Sequence, residues 1–265
     1  LLPGADADLV RVLARRIDQM VDRVCLETAA TELVPQSDGL DAVLEGSDGD
    51  VRTQRFDQVL VAVGRVPNSF VPGLEHTLVA RNSRDFIVVD PHCRTAEPSI
   101  FAIGDVVGEP MLAHKAFAEA RVVVDVLGGG SLKFDSQTVP AVVFTDPEVA
   151  WCGLGEDEAV AQGRKIVVAK FPWGASGRAL TLNRPEGLTK LVIDPESEQI
   201  LGVGVVGVGA GELISEAVVA VEMGMTVTDL KNTIHPHPTL AETVMEAAEV
   251  FFGESSHVYR RKRSQ

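Results

Sequence analysis

The residues with most to say about chemistry lie near the C-terminus, in Ile234-His235-Pro236-His237-Pro238-Thr239-Leu240-Ala241-Glu242. A histidine gripped by two prolines is followed, five residues on, by a carboxylate. A residue that precedes proline is pushed out of the α region, so both histidines are expected on a stiff segment feeding a helix that begins near Thr239. An imidazole fixed in this way loses little entropy when it is used. Glu242 beside it would favour the imidazolium and select the tautomer whose other nitrogen faces substrate. His237 would then be a general base and Glu242 its orienting partner. Thr239-Leu240-Ala241-Glu242 equally fits a capping box, in which the glutamate bonds only the N-cap backbone N–H, and taken alone the residues favour the cap.

The elements that must position these groups follow from hydrophobic periodicity. An amphipathic helix is expected over 8–21, with Leu9, Val10, Val12, Leu13, Ile17, Met20 and Val21 near one side, followed by short strands to Val63. Strands over 86–89 and 100–103 precede a helix over 112–127 that Gly128-Gly129-Gly130 ends. Beyond it, strands over 141–144, 165–171, 188–193 and 200–208 alternate with helices over 156–161, 212–223 and 240–251. Two apolar runs end in residues suited to ligands. The run 59–63 meets Gly64, as a buried strand meets a glycine turn, and Ile100 to Ile103 meets Gly104 and Asp105, placing a carboxylate where open α/β sheets bind ligands. A turn or N-cap aspartate, or a merely structural glycine, is the plainer account of each. Gly202-Val203-Gly204-Val205-Val206-Gly207 fits the dinucleotide fingerprint, but inside an apolar strand-like run its glycines would have to form the turn themselves, so it is rejected as a nucleotide site.

Five motifs together resemble dihydrolipoamide dehydrogenase and the wider class I pyridine nucleotide-disulfide oxidoreductases. They are the histidine segment, Gln58 to Asn68, Ser99 to Val106 with Pro110-Met111-Leu112-Ala113-His114-Lys115-Ala116, Thr145 to Trp151, and Gly209 to Ile214. The resemblance implies α/β and α+β architecture: the remnant of FAD/NAD(P)-binding Rossmann-like domains followed by an α+β dimerisation (interface) domain. Its segments would be 1–66 from the NAD domain, 67–138 from the central FAD-binding domain and 139–265 as the interface domain. It makes Asp105 the acceptor for a flavin ribityl hydroxyl, with Met111, Leu112, Ala113 and His114 giving further FAD contacts, and sets Gly64 and Ala30 against NAD. It makes His237 and Glu242 the catalytic pair of a homodimer that docks on the acyltransferase core of 2-oxo acid dehydrogenase complexes. Glutathione reductase shares a His-Pro-Thr with a following Glu, whereas the doubled His235-Pro236-His237 points to the lipoamide enzyme.

The same resemblance demands a C-x4-C redox pair, and Cys25, Cys93 and Cys152 are too far apart in sequence to be one. The chain is therefore expected to be the C-terminal part of a longer enzyme and inactive alone; the competing reading is a non-catalytic dimerisation and docking module. Its 265 residues, 45% apolar, can fill real cores. Net charge is −14, which disfavours nucleic acid or an anionic membrane as partner. Three unpaired-looking cysteines suit a reducing cytoplasm, no run is long and apolar enough to span a bilayer, and no metal site is expected. The basic run 260–263 reads as a solvated terminus.

Overall fold

The structure is a computed structural model that describes residues 1–258, so the basic run 260–263 lies outside the described residues. The described residues pack as two compact units, one of Asp18–Val66 with Leu1 and a second of Leu2–Ile17 with the described residues from Pro67 onward. The helix that the sequence reading groups with 18–66 thus belongs to the second unit.

The first unit is an antiparallel meander of β1 (Thr28–Gln36), β2 (Gly39–Gly46) and β3 (Val51–Phe56), in that spatial order. A bulge between Ala30 and Glu32 interrupts the β1–β2 register. Gly39 opens β2 because a Cβ there would collide with the Phe56 carbonyl. The run 59–63 corrects one expectation. It joins no ladder, and Leu60 and Val63 are more than nine-tenths exposed. An apolar run becomes a buried strand only when neighbours supply both hydrogen bonds and cover, and no described strand pairs with it.

The second unit is built on a five-stranded antiparallel sheet. Its strands are β4 (Ala141–Val143), β5 (Glu148–Gly153), β6 (Val167–Pro172), β7 (Leu188–Ile193) and β8 (Ile200–Gly207), in spatial order β4-β5-β8-β7-β6. Side chains alternate between faces along a strand, so adjacent residues serve different cores. Val149 and Val206 meet helix α1 (Ala7–Ile17) through Leu9 and Leu13, whereas Ala150 and Val205 join the larger core beneath α5 (Ala210–Glu222) and α7 (Glu242–Phe252). Full burial of each leucine contributes about 1.5–3 kcal/mol of apolar transfer free energy. The helix stops at Ile17, four residues before the expected limit, and Met20 and Val21 beyond it lie exposed.

Glycines of the apparent fingerprint are packing devices in β8. A Cβ on Gly204 would stand 2.5 Å from Leu9 Cδ1, and one on Gly207 would enter the Trp173 ring. Both absent side chains make room for neighbours rather than for phosphate.

Between sheet and meander in sequence, the expected strands over 86–89 and 100–103 reduce to single bridges, Arg81 with Ile87 and Arg94 with Phe101. Ile103 then leads into a 3-10 turn at Gly104–Val106, and helix α2 (Ala113–Leu127) follows. Cys93, Val122 and Val126 form the local core, with Phe101, Ile103 and Phe134 at its margin. At the end of α2 Gly128 N–H bonds the Val124 carbonyl, and Gly129 takes a positive φ of 88°. Short helices α3 (Glu156–Ala161), α4 (Gly177–Thr181) and α6 (Val227–Asn232) complete the unit.

Candidate active site

Helix α7 is held by a buried chain of hydroxyls. Trp173 Nε1–H donates to Thr189 Oγ1 at 2.9 Å, the two threonine oxygens Thr189 Oγ1 and Thr243 Oγ1 stand 2.8 Å apart, and Thr243 O–H donates to the Leu240 carbonyl at 2.7 Å. With the last proton committed to Leu240, Thr189 must donate to Thr243, so every member of the chain is satisfied. The first turn of α7 is thereby tied to the sheet, and with it Glu242.

Glu242 does both things its sequence context offers. One carboxylate oxygen accepts the Thr239 backbone N–H at 2.7 Å, half of a capping box that the Glu242 N–H completes at 3.4 Å on Thr239 Oγ1. The other stands 2.8 Å from His237 Nδ1. Cap and orienting carboxylate are the same group, so the two readings of the motif are not alternatives. Burial by itself pushes the Glu242 carboxyl up, but the Thr239 N–H and the His237 ring together hold it below the usual carboxylate range. Its charged form is therefore kept, which favours Nδ1–H on the imidazole and leaves Nε2 to exchange a proton.

The two histidines are divided by environment. His237 has a 74% exposed side chain, while that of His235 is 4% exposed. Both ring nitrogens of His235 are taken: Nδ1 lies 2.9 Å from the Thr233 carbonyl and Nε2 lies 2.7 Å from Glu216 Oε1. Only His237 has a nitrogen available.

A cavity of about 280 Å³ opens beside the pair, lined by Phe171 and Leu180 together with His237 and Glu242. Glu246 and His257 line it as well, and sequence reading missed both. Glu246 is one helical turn beyond Glu242, but in a run of apolar helix residues it looks like an ordinary surface carboxylate. His257 reaches α7 only because Gly253, at φ 70°, turns the chain back.

The cofactor candidates lie elsewhere. Asp105 is half-buried in the 3-10 turn, where Gly104 adopts φ 76°. Met111 and Leu112 precede α2 and are half-buried; Ala113 and His114 begin it and are exposed. No side chain caps α2, so its first-turn N–H groups remain available to an electron-rich ligand. His114 Nε2 lies 2.7 Å from the Pro140 carbonyl, which ties the start of the helix to the segment entering β4. Beneath the turn runs a buried ion pair, another feature not read from sequence. Lys115 and Glu119 meet at 2.8 Å; Glu119 accepts the Gly104 N–H at 2.6 Å, and Lys115 Nζ reaches the Gly104 and Gly108 carbonyls at 3.4 and 3.3 Å. In the first unit, Ala30 sits exposed on β1 beside the bulge, and Gly64 adopts φ 102° with open space where its Cβ would be.

Among the described residues one carboxylate group, Asp6, Asp8 and Glu156, is compact enough for a metal ion. Lys190 Nζ already fills it, at 2.5, 2.7 and 2.9 Å from the three, and Lys170 adds a contact to Asp8 at 2.6 Å. The three cysteines are all free, Cys25 exposed and Cys93 and Cys152 buried.

Residues 1–120 match the pyridine nucleotide-disulphide oxidoreductase model and residues 139–248 the dimerisation-domain model of the same proteins. A protein of Vibrio parahaemolyticus named dihydrolipoyl dehydrogenase is 44% identical over 262 residues, covering 99% of this chain and 55% of its own length. One of Thermus scotoductus with the same name is 45% identical, covering 98% of this chain and 57% of its own length. Among solved structures, the LpdA protein of Mycobacterium tuberculosis superposes with a TM-score of 0.85 at 28% identity, over 94% of this chain and 53% of that one. The HOCl-induced flavoprotein disulfide reductase RclA of Escherichia coli superposes at 0.83 and 26% identity, over 94% of this chain and 57% of that one. The chain thus spans about half the length of the curated relatives it matches. Together the two matched regions, the mixed α/β fold with its antiparallel sheets, and the relatives place the chain in the pyridine nucleotide-disulphide oxidoreductase family.

Proposed function

We propose that this chain is the base-bearing part of a dihydrolipoyl dehydrogenase, a flavoenzyme that oxidises dihydrolipoamide and reduces NAD+. The observation that carries the reading is His237, exposed at a cavity, with Nδ1 held by a carboxylate that is itself fixed to the helix start. The two dihydrolipoyl dehydrogenases described above lend it support at 44% and 45% identity.

His237 Nε2 takes the S–H proton of the dithiol, and Glu242 stabilises the imidazolium that results. The thiolate left behind is the nucleophile for disulfide exchange: a new S–S bond forms, the old one breaks, and its second sulfur leaves as thiolate. Cys25, Cys93 and Cys152 do not supply that disulfide, since two are buried and none is spaced as a pair. The relatives are nearly twice as long as this chain, so the disulfide would come from a part of such an enzyme that these residues do not span, and in a homodimer the base of one subunit would serve the disulfide of the other. The matched dimerisation domain supports the homodimer, and so do the exposed Phe144, Val219, Met223 and Ile234 within that domain.

The residues present fit the cofactors. Asp105 can accept a flavin hydroxyl and the uncapped α2 start can face it, with Met111, Leu112, Ala113 and His114 alongside. Gly64 and Ala30 would lie against the nicotinamide dinucleotide. Held by these residues, FAD would supply the two-electron acceptor for the dithiol and NAD+ the final hydride acceptor. The segments 1–66, 67–138 and 139–265 would then be NAD-domain, FAD-domain and interface-domain parts. Three free cysteines fit a cytoplasmic setting. No helix among the described residues is long and apolar enough to cross a membrane. A net charge of −14 suits docking on a basic module of the acyltransferase core of a 2-oxo acid dehydrogenase complex. The cysteine spacing also favours a second reading of the isolated chain, as a dimerisation and docking module without turnover of its own.

The test is substrate choice by the flavin-loaded enzyme that carries this chain. NADH should form from dihydrolipoamide and NAD+, with no comparable activity on glutathione. Flavin bound but dihydrolipoamide left unoxidised would overturn the assignment.

A further inference from the structure

The cavity beside His237 is lined by a second imidazole–carboxylate pair of the same construction. Glu242 and Glu246 are four residues apart on α7 and therefore neighbours on one face. Each holds a histidine through Nδ1, His237 at 2.8 Å and His257 at 2.6 Å. Each gives its other oxygen to a fixed donor, the Thr239 N–H for Glu242 and the Ser255 hydroxyl, at 2.9 Å, for Glu246.

His257 is not on a loose tail. Gly253 and Glu254 N–H close onto the Val250 and Glu249 carbonyls, the His257 and Val258 N–H groups donate to Ser255 Oγ at 3.3 and 3.2 Å, and Val258 packs on the main core. The Glu246 side chain is 9% exposed, and among the described residues His257 is its ion-pair partner when protonated. A carboxylate that buried is costly unless its partner can carry charge. The His257 side chain keeps 55% exposure, with Nδ1 engaged and Nε2 left to exchange.

We propose that His257, held by Glu246, is a second proton-carrying group of this cavity, receiving the proton that His237 collects and delivering it to bulk solvent. The inference rests on the reading of His237 as a base. One proton enters at His237 Nε2 and one leaves at His257 Nε2; no bond between heavy atoms changes. A cavity of about 280 Å³ has room for several solvent molecules between the rings, each taking about 30 Å³. The charged groups around His257 are Glu242, Glu246 and Glu249 from α7, Lys231 from α6 in an ion pair with Glu254, and His237 itself. Phe171, Ser176 and Leu180, which also line the cavity, are neutral. Burial first, and Glu246 second, push the Glu249 carboxyl up, and Glu246 is the carboxylate in direct contact with His257.

Two measurements test this, one of them independent of cofactor and turnover. In the 15N-histidine-labelled chain, His257→Gln should change the ring 15N signals of His237 across the shared cavity and leave those of His235, locked between Thr233 and Glu216, unchanged. Glu246→Gln should shift the Nδ1 signal of His257, whose carboxylate partner it removes. In the flavin-loaded enzyme, His257→Ala should slow flavin reduction by dihydrolipoamide about tenfold at low buffer, and added imidazole should restore it. A turn-stabilising residue would show neither coupling nor rescue, and unchanged His237 ring signals or a defect that imidazole leaves in place overturns the proposal. If His237→Ala fails to slow reduction while the two rings remain coupled, the base assignment falls, separately from the pairing.

Discussion

Glu119→Leu is the substitution that most sharply tests how the Asp105 turn is held. Lys115 and Glu119 are 5% and 3% exposed, meet at 2.8 Å, and grip both the N–H and the carbonyl of Gly104. Removing one partner of a buried pair leaves an uncompensated charge and costs about 3–5 kcal/mol. Lys115→Met should cost the same for the mirror-image reason. The double variant Lys115→Met/Glu119→Leu buries no charge. Its remaining penalty is the orphaned Gly104 N–H, about 1–3 kcal/mol, well short of the summed singles. For a chain of this size 1 kcal/mol moves the melting temperature by about 2–4 °C, so each single should melt about 6–20 °C lower and the double about 2–12 °C lower. Urea unfolding followed by tryptophan fluorescence and by far-UV circular dichroism supplies the free energies. Singles that cost under about 1 kcal/mol, or a double that costs their sum, would refute the claim that charge pairing organises this turn.

Three other outcomes follow from the geometry. Lys190→Met strands Asp6, Asp8 and Glu156 around an empty position and should cost about 3–5 kcal/mol at neutral pH. Burial favours the neutral acids, but the two lysines hold Asp8 and Glu156 below the ordinary range. Their stabilisation is thus full above the unfolded-state pKa and lost as pH falls through the folded one, so the deficit of the variant in denaturant melts should shrink in acid. Of the three thiols only Cys25 should react with an aromatic disulfide reagent in the native chain: Cys93 is pushed up by burial, and Cys152 is pushed up to about 12 by the same cause. Labelling of Cys152 before unfolding would contradict its placement. Glu242→Ala should lose about 1 kcal/mol of stability with the cap, whereas Glu242→Gln, which can still accept the Thr239 N–H, should melt close to wild type yet lose the charge that orients His237.

How much of this was legible in the sequence depended on whether the determinant was local. The histidine segment, the Asp105 turn and most helices and strands of the five-stranded sheet could be read, because caps, glycines and periodicity act within a few residues. The limits of 188–193 and 156–161 were met outright by β7 and α3. The run 59–63 misled because its composition suits a strand whatever its neighbours, and the structure pairs it with none of the described strands. The apparent helix end at Val21 failed for a related reason: periodicity continued past the last residue that the sheet covers. His257 and Glu246, Trp173 with Thr189 and Thr243, and Lys115 with its grip on Gly104 were missed because each depends on chain reversal or on packing between distant segments. The sequence singled out His237 by its two prolines and the carboxylate five residues on; that His235 is locked by burial against Glu216 depends on packing and could not be read there.

The central claim is that His237 takes the substrate proton. Stopped-flow reduction of the flavin-loaded enzyme separates that step from the rest, because dihydrolipoamide must lose its proton to react and NADH brings a hydride instead. With His237→Ala, flavin reduction by dihydrolipoamide should slow by about two or more orders of magnitude while reduction by NADH and flavin content stay unchanged. Equal rates for wild type and variant with dihydrolipoamide would contradict the account.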